Sequence, residues 1–108
     1  GLDAEARRGR DTAHLLRVTD RWFTGDEQNR VRQALAEGAD AAEEMFLRVW
    51  TAKEALVKRT GVGLAGMQHC DSNHPGDCAL QSTCIGDVIL TVAAPQGTEP
   101  AEFRQIVF

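Results

Sequence analysis

From Thr12 to Phe23 the apolar side chains Leu15, Leu16, Val18, Trp22 and Phe23 recur at the spacing of one helix face, which predicts a short amphipathic helix. Asp11 or Thr12 is placed to cap it. Thr24-Gly25-Asp26-Glu27 has the S/T-x-x-E form of a capping box and predicts a second helix through Val31, Ala34 and Leu35, ended by Gly38. Asp40-Ala41-Ala42-Glu43 repeats the device with Asp40 as the cap. It opens the longest predicted helix, about Ala41 to Thr60. Met45, Val49, Ala52 and Leu56 form its apolar stripe, and Gly61 closes it with Lys58 and Arg59 in the last turn. After Gly66 the apolar periods shorten. Cys78 to Ile85 alternates and Val88 to Ala94 is rich in β-branched residues, with Gly86-Asp87 between them as a hairpin turn. Gly1 to Glu5 reads as the end of a strand, Ala6 to Arg10 as a basic connecting stretch, and Gln105 to Phe108 as a final edge strand. The order predicts an α+β fold with helices packed on one face of an antiparallel sheet.

The length of 108 residues fits a single domain over 1–108. The net charge of −4, from 16 acidic and 12 basic residues, argues against a general nucleic-acid binder, which needs a basic face. It leaves room for a local cluster at Arg7, Arg8 and Arg10. No apolar run approaches the ~18 residues of a membrane span, and no signal-peptide pattern opens the chain. Cys70, Cys78 and Cys84 are an odd number without a CxxC pair, so the expected setting is reducing and cytoplasmic. Because Gly1 begins abruptly on what reads as a strand end, the chain is expected to be a fragment or to lack its natural start.

Three groups of residues suggest chemistry, and each has an ordinary reading beside it. Gly61-Val62-Gly63-Leu64-Ala65-Gly66 fits G-x-G-x-x-G, yet a dinucleotide site needs a strand before the glycines and a helix after them. Here that order is reversed, and the glycines end a helix. His69, Cys70, His74 and Cys78 lie close together, but their ligand types are interleaved rather than set as the pairs of a structural zinc site. Asp3 and Glu5, two apart on a strand, project to one side and could hold a hard cation such as Mg2+. Alone, they are more simply a solvent-facing pair.

Trp50, Glu54 and Lys58 follow at i, i+4 and form one helix ridge. Read plainly, Glu54 and Lys58 make a surface ion pair worth a few tenths of a kcal/mol and Trp50 is a core aromatic. Lys53 fits that picture poorly, since it interrupts the apolar face between Trp50 and Val57.

Together these segments resemble the two signatures of phosphopantetheinyl transferases of the surfactin-synthetase type. Gly1-Leu2-Asp3-Ala4-Glu5 matches the first and Trp50-Thr51-Ala52-Lys53-Glu54-Ala55-Leu56-Val57-Lys58 the second, at every fixed position and at the family's separation. Arg21-Trp22-Phe23-Thr24-Gly25-Asp26-Glu27, Gly61 to Leu64 and the Cys78–Ala94 hairpin resemble the family's intervening and closing segments. The resemblance implies transfer of the 4'-phosphopantetheine arm from coenzyme A to a serine of an acyl- or peptidyl-carrier protein, a holo-carrier-protein synthase activity that releases adenosine 3',5'-bisphosphate. It implies that Asp3, Glu5 and Glu54 hold Mg2+ and that Lys58 binds a pyrophosphate oxygen. Lys53 would support the phosphates or the leaving group, and Glu54 would accept the serine proton, directly or through a metal-bound water. Glu27 would share that role or a water-mediated metal contact, with its capping-box position an equally good structural explanation. Trp50 would fix the ridge by packing, and Arg7, Arg8 and Arg10 would face an acidic carrier-protein helix or plain solvent. Full-length enzymes of this type have two similar halves with the active site between them, so the chain is expected to be the C-terminal catalytic half, or a single half that self-assembles. The rival reading is a non-catalytic half-domain that binds carrier protein or coenzyme A.

Overall fold

The computed structural model describes residues 1–61 and 66–98. Its elements are β1 (Leu2–Ala6), α1 (Thr12–Trp22), α2 (Gly25–Leu35), α3 (Ala39–Thr60), β2 (Cys78–Ile85) and β3 (Val88–Pro95). The three strands form an antiparallel sheet in the order β1-β3-β2, and the helices pack against it. This is the expected α+β arrangement. The final strand expected at Gln105–Phe108 and most of the glycine segment after Gly61 lie outside the described residues.

The hairpin turns at Gly86-Asp87 as its sequence requires, with Ile85 opposite Val88. Its β-branched second strand is the centre of the sheet, where Val88, Ile89, Thr91 and Val92 suit a pleated, buried surface. β1 then adds to the other edge of β3, which only the folded chain can bring to it.

Helix α3 is the spine. Ala42, Phe46, Leu47, Val49, Ala52, Ala55, Leu56 and Val57 are all buried along it. The main core joins Phe46, Leu47 and Val49 to Leu15 and Phe23 of the first helical segment, Val31 of α2 and Ile89 of β3. Each such side chain removed from water contributes about 1.5–3 kcal/mol. Phe23, Phe46 and Trp50 stack in sequence, with ring centroids 5.4 Å apart for Phe23–Phe46 and 5.9 Å for Phe46–Trp50. Trp50 therefore packs, as expected, and holds its helix face against α1.

Two helix starts behave differently. At α2 the capping box is complete: Thr24 Oγ1 accepts from the Glu27 N–H at 3.2 Å, and the Glu27 carboxylate accepts from the Thr24 N–H at 2.9 Å. At α3 the expected Asp40–Glu43 box does not form. The N-cap is Gly38 and the helix begins at Ala39, with no side-chain cap. Glu43 is engaged elsewhere, by the backbone of residues 8–10.

Candidate active site

Alternation along β1 sends Asp3 and Glu5 to the side facing α3, while Leu2, Ala4 and Ala6 are exposed. The cross-strand register places Asp3 opposite Thr91 and Glu5 opposite Ile89. Thr91 is fully buried, and its hydroxyl lies 2.7 Å from both the Thr51 and Ser82 hydroxyls. This chain of hydroxyls ties α3 to β3 and β2 beneath the carboxylates.

Gly1 explains how closely β1 approaches the helix. A Cβ built on it would collide with the Ala55 carbonyl, so any larger residue would push the strand away from α3. The close approach lets Lys58 reach across. Its Nζ donates to Asp3 Oδ1 at 2.8 Å and to the Leu2 carbonyl at 3.3 Å. The hydrogen bond to Asp3 is the main reason the Lys58 pKa is raised. Glu54, one turn earlier and half-buried, is pushed up, first by burial and next by the charge of Asp3, with Lys58 opposing and Glu5 adding to the rise. Asp3, Glu5, Glu54 and Lys58 thus form one electrostatic cluster.

Asp3 Oδ2 is buried without a hydrogen-bond partner. An orphaned carboxylate oxygen, with Glu54 and Glu5 in electrostatic range, is the type of donor that suits a hard divalent cation. Among the described residues no three His, Cys, Asp or Glu groups come together as a group that could hold a metal ion. In this arrangement Lys58 supplies the positive charge that Asp3 faces. The fit therefore lies in the chemistry of the donors and the orphaned oxygen.

The structure does not bring Lys53 and Glu27 to this cluster. They meet each other, Nζ to Oε1 at 2.8 Å, with both side chains fully buried. Lys53 also donates to the Cys70 carbonyl at 2.6 Å. The second Glu27 oxygen accepts from the Ser72 N–H at 2.7 Å and the Ser72 hydroxyl at 2.6 Å. Burial acts to raise the Glu27 pKa, but the bonds from Lys53, Ser72 and Thr24 outweigh it and hold the carboxylate below its ordinary range. The pair knits α2, α3 and the segment after Gly66 together.

The arginines of the connecting stretch are also placed. Arg7 lies 3.7 Å from Asp87, and Arg10 lies 3.1 Å from Glu43 and 3.5 Å from Glu5, while Arg8 is exposed. Beside Glu5 an open cleft of about 190 Å³ is rimmed by Arg8, Arg10 and His14 and floored by Phe46 and Trp50. His74 Nδ1 is held 3.1 Å from Asp71, the Cys70 thiol contacts the Met67 and Lys53 carbonyls, and Cys78 Sγ accepts from Arg59 Nε at 2.9 Å. Among the described residues His69, Cys70, His74 and Cys78 form no metal-holding group.

Sequence reasoning missed the partners of the buried groups: Ser72 and the Cys70 carbonyl for the Glu27–Lys53 pair, and the residue 8–10 backbone for Glu43. A signal for the last was available, since Glu43 falls among Ala42, Phe46 and Leu47 on the buried side of α3.

Residues 1–98 match the family described as the 4'-phosphopantetheinyl transferase superfamily. A protein of Synechocystis sp., provisionally named a 4'-phosphopantetheinyl transferase, is 33% identical over 72 residues, which cover 61% of this chain and 28% of that protein. The chain thus spans less than a third of the relative it matches. No solved structure matches it significantly.

Proposed function

The chain belongs to the 4'-phosphopantetheinyl transferase superfamily, and on that premise we propose that it carries the catalytic residues for moving 4'-phosphopantetheine from coenzyme A to a carrier-protein serine. The observation that carries the reading is the Asp3–Glu5–Glu54–Lys58 cluster, with the orphaned Asp3 oxygen at its centre. The two-signature pattern favours the surfactin-synthetase type.

In the proposed reaction the serine oxygen attacks the phosphorus that bears the pantetheine arm. The bond to adenosine 3',5'-bisphosphate breaks, and the serine proton is lost. Phosphoryl transfer asks the protein chiefly to position groups and balance charge. Asp3, Glu5 and Glu54 would hold Mg2+, which when bound neutralises charge on the pyrophosphate. Lys58, half exposed at the tip of its helix, donates to a phosphate oxygen. Glu54 accepts the serine proton, directly or through a metal-bound water. The cleft beside Glu5 offers a concave surface for the substrate. For Lys53 and Glu27 we propose positioning in place of substrate contact, because both are sealed within the protein. The adenine end of coenzyme A would be bound by residues outside this chain, from a second half or a second copy. No helix among the described residues is long and apolar enough to cross a membrane, and a cytoplasmic setting, where free thiols stay reduced, belongs to the same proposal.

Incubation with coenzyme A, Mg2+ and an apo carrier protein, followed by mass spectrometry of the carrier, tests the reading. A gain equal to the phosphopantetheine group is expected. No gain, beside an active control transferase, overturns transfer by this chain. Measurable binding of carrier or coenzyme A without any gain would establish the non-catalytic half-domain instead.

A further inference from the structure

From sequence Glu43 is the expected capping-box partner of Asp40, and the structure gives it a different task. Its carboxylate is almost completely buried, and it accepts from three successive backbone N–H groups: Arg8 at 3.4 Å, Gly9 at 3.1 Å and Arg10 at 2.9 Å. Gly9 has φ +69°, a left-handed conformation that turns neighbouring N–H groups to one side, as in an anion-binding nest. The Arg10 guanidinium completes the shell, donating to Glu43 Oε2 at 3.1 Å and to the Ala6 carbonyl at 2.8 Å. The same guanidinium reaches Glu5 only at 3.5 Å, beyond good hydrogen-bond length.

Arg10 therefore stands between two carboxylates and is bonded to one of them. We propose that Glu43 is a positioning residue: by anchoring the 8–10 backbone and holding Arg10, it limits Arg10 to a long, weak pairing with Glu5, so that the Glu5 carboxylate can still serve as a ligand for the divalent cation. The inference rests on the cation reading given above. If Glu43 loses its charge, Glu5 becomes the only carboxylate within reach of Arg10 among the described residues. A tightened Arg10–Glu5 pair then competes with the cation for the same oxygens. Groups that orient a metal ligand from behind typically account for about 10–100-fold in metal affinity.

Mn2+ serves as the probe, since it shares the oxygen preference of Mg2+ and its free concentration is read by electron paramagnetic resonance without any turnover. The full chain is compared with Glu54→Gln, Glu43→Gln, Arg10→Met and the Glu43→Gln/Arg10→Met double variant, each checked for folding by circular dichroism. Wild type should bind Mn2+ and Glu54→Gln should not. Glu43→Gln should weaken binding about tenfold, and the double variant should return to within about twofold of wild type. Arg10→Met alone should bind at least as tightly as wild type, and this arm stands even if Glu43→Gln fails to fold. Unchanged affinity in Glu43→Gln overturns the proposal. So does a loss that removing Arg10 does not repair, or weakened binding in Arg10→Met, since any of these would mean that Glu43 and Arg10 serve only the fold. Absence of Mn2+ binding by wild type overturns the cation reading itself and this inference with it.

Discussion

Lys53 and Glu27 meet at 2.8 Å with neither side chain reaching water. An ion pair in that position is costly to break, because removing one partner strands the other charge in a low-dielectric interior. Lys53→Met is expected to cost about 3–5 kcal/mol, measured by urea unfolding. A loss below about 1 kcal/mol, the scale of an exposed pair, would show that the two groups are solvated in solution. In the sequence Lys53 stands out as a lysine interrupting an apolar face and as a fixed position of the second signature, and neither points to burial against Glu27. Nothing local reveals its partner, because Glu27 lies 26 residues away and the capping box accounts for that glutamate equally well. The buried carboxylates also set a pH dependence. Glu27 and Glu43 are both held below their ordinary value of 4.5, Glu43 by hydrogen bonds from Arg8, Gly9 and Arg10 that outweigh burial. Each binds its proton more weakly folded than unfolded, so its contribution is complete above about 4.5 and is lost as pH falls through the lowered value. The stability gap between wild type and Glu43→Gln, followed by urea unfolding from neutral pH downward, should accordingly shrink below that point. A gap constant with pH would show that the Glu43 charge contributes nothing.

At the scale of elements, the patterns that specify themselves locally were readable. The three helices, the Thr24–Glu27 box, the left-handed Gly61 at the end of α3 and the Gly86-Asp87 hairpin each follow from residues within one or two turns. The start of α3 was misread because Asp40–Glu43 satisfies the local rule while Glu43 is claimed by a loop 33 to 35 residues earlier. The strand order was not legible, since β1 pairs with β3 across nearly the whole chain. That pairing matters most for function, and its least conspicuous requirement is Gly1. Adding a methyl group there sets side chain against the Ala55 carbonyl of α3. Gly1→Ala should destabilise by about 1–3 kcal/mol, the usual cost of overpacking. Leu2→Ala, at a side chain 42% exposed, should stay within about 0.5 kcal/mol. Equal effects of the two changes in thermal unfolding would refute the close approach.

The whole molecule stores unfavourable charge at one place and compensates for it elsewhere. Raising the Glu54 pKa means that its ionised form opposes folding, since the proton is held more tightly in the native state than in the unfolded one. Stability from that group is present below its ordinary range and lost as pH rises through the raised value. At neutral pH, Glu54 therefore sits in the fold against its electrostatic preference, as functional residues commonly do. The charge of Lys58 offsets part of this, and a bound divalent cation would offset more. Two results should follow together. Mg2+ should raise the thermal midpoint of wild type by about 10–20 °C at saturation, since ligand at about 100 times its Kd adds about 2.7 kcal/mol and a domain of this size gains about 4–8 °C per kcal/mol. Glu54→Gln should unfold no lower than wild type without Mg2+, gain nothing from adding it, and transfer no phosphopantetheine. Were Glu54 an ordinary surface residue, the substitution would leave both the Mg2+ response and the transfer intact. A variant that kept its stability and lost both would separate a site from a scaffold, which the i, i+4 spacing of Trp50, Glu54 and Lys58 could not do alone.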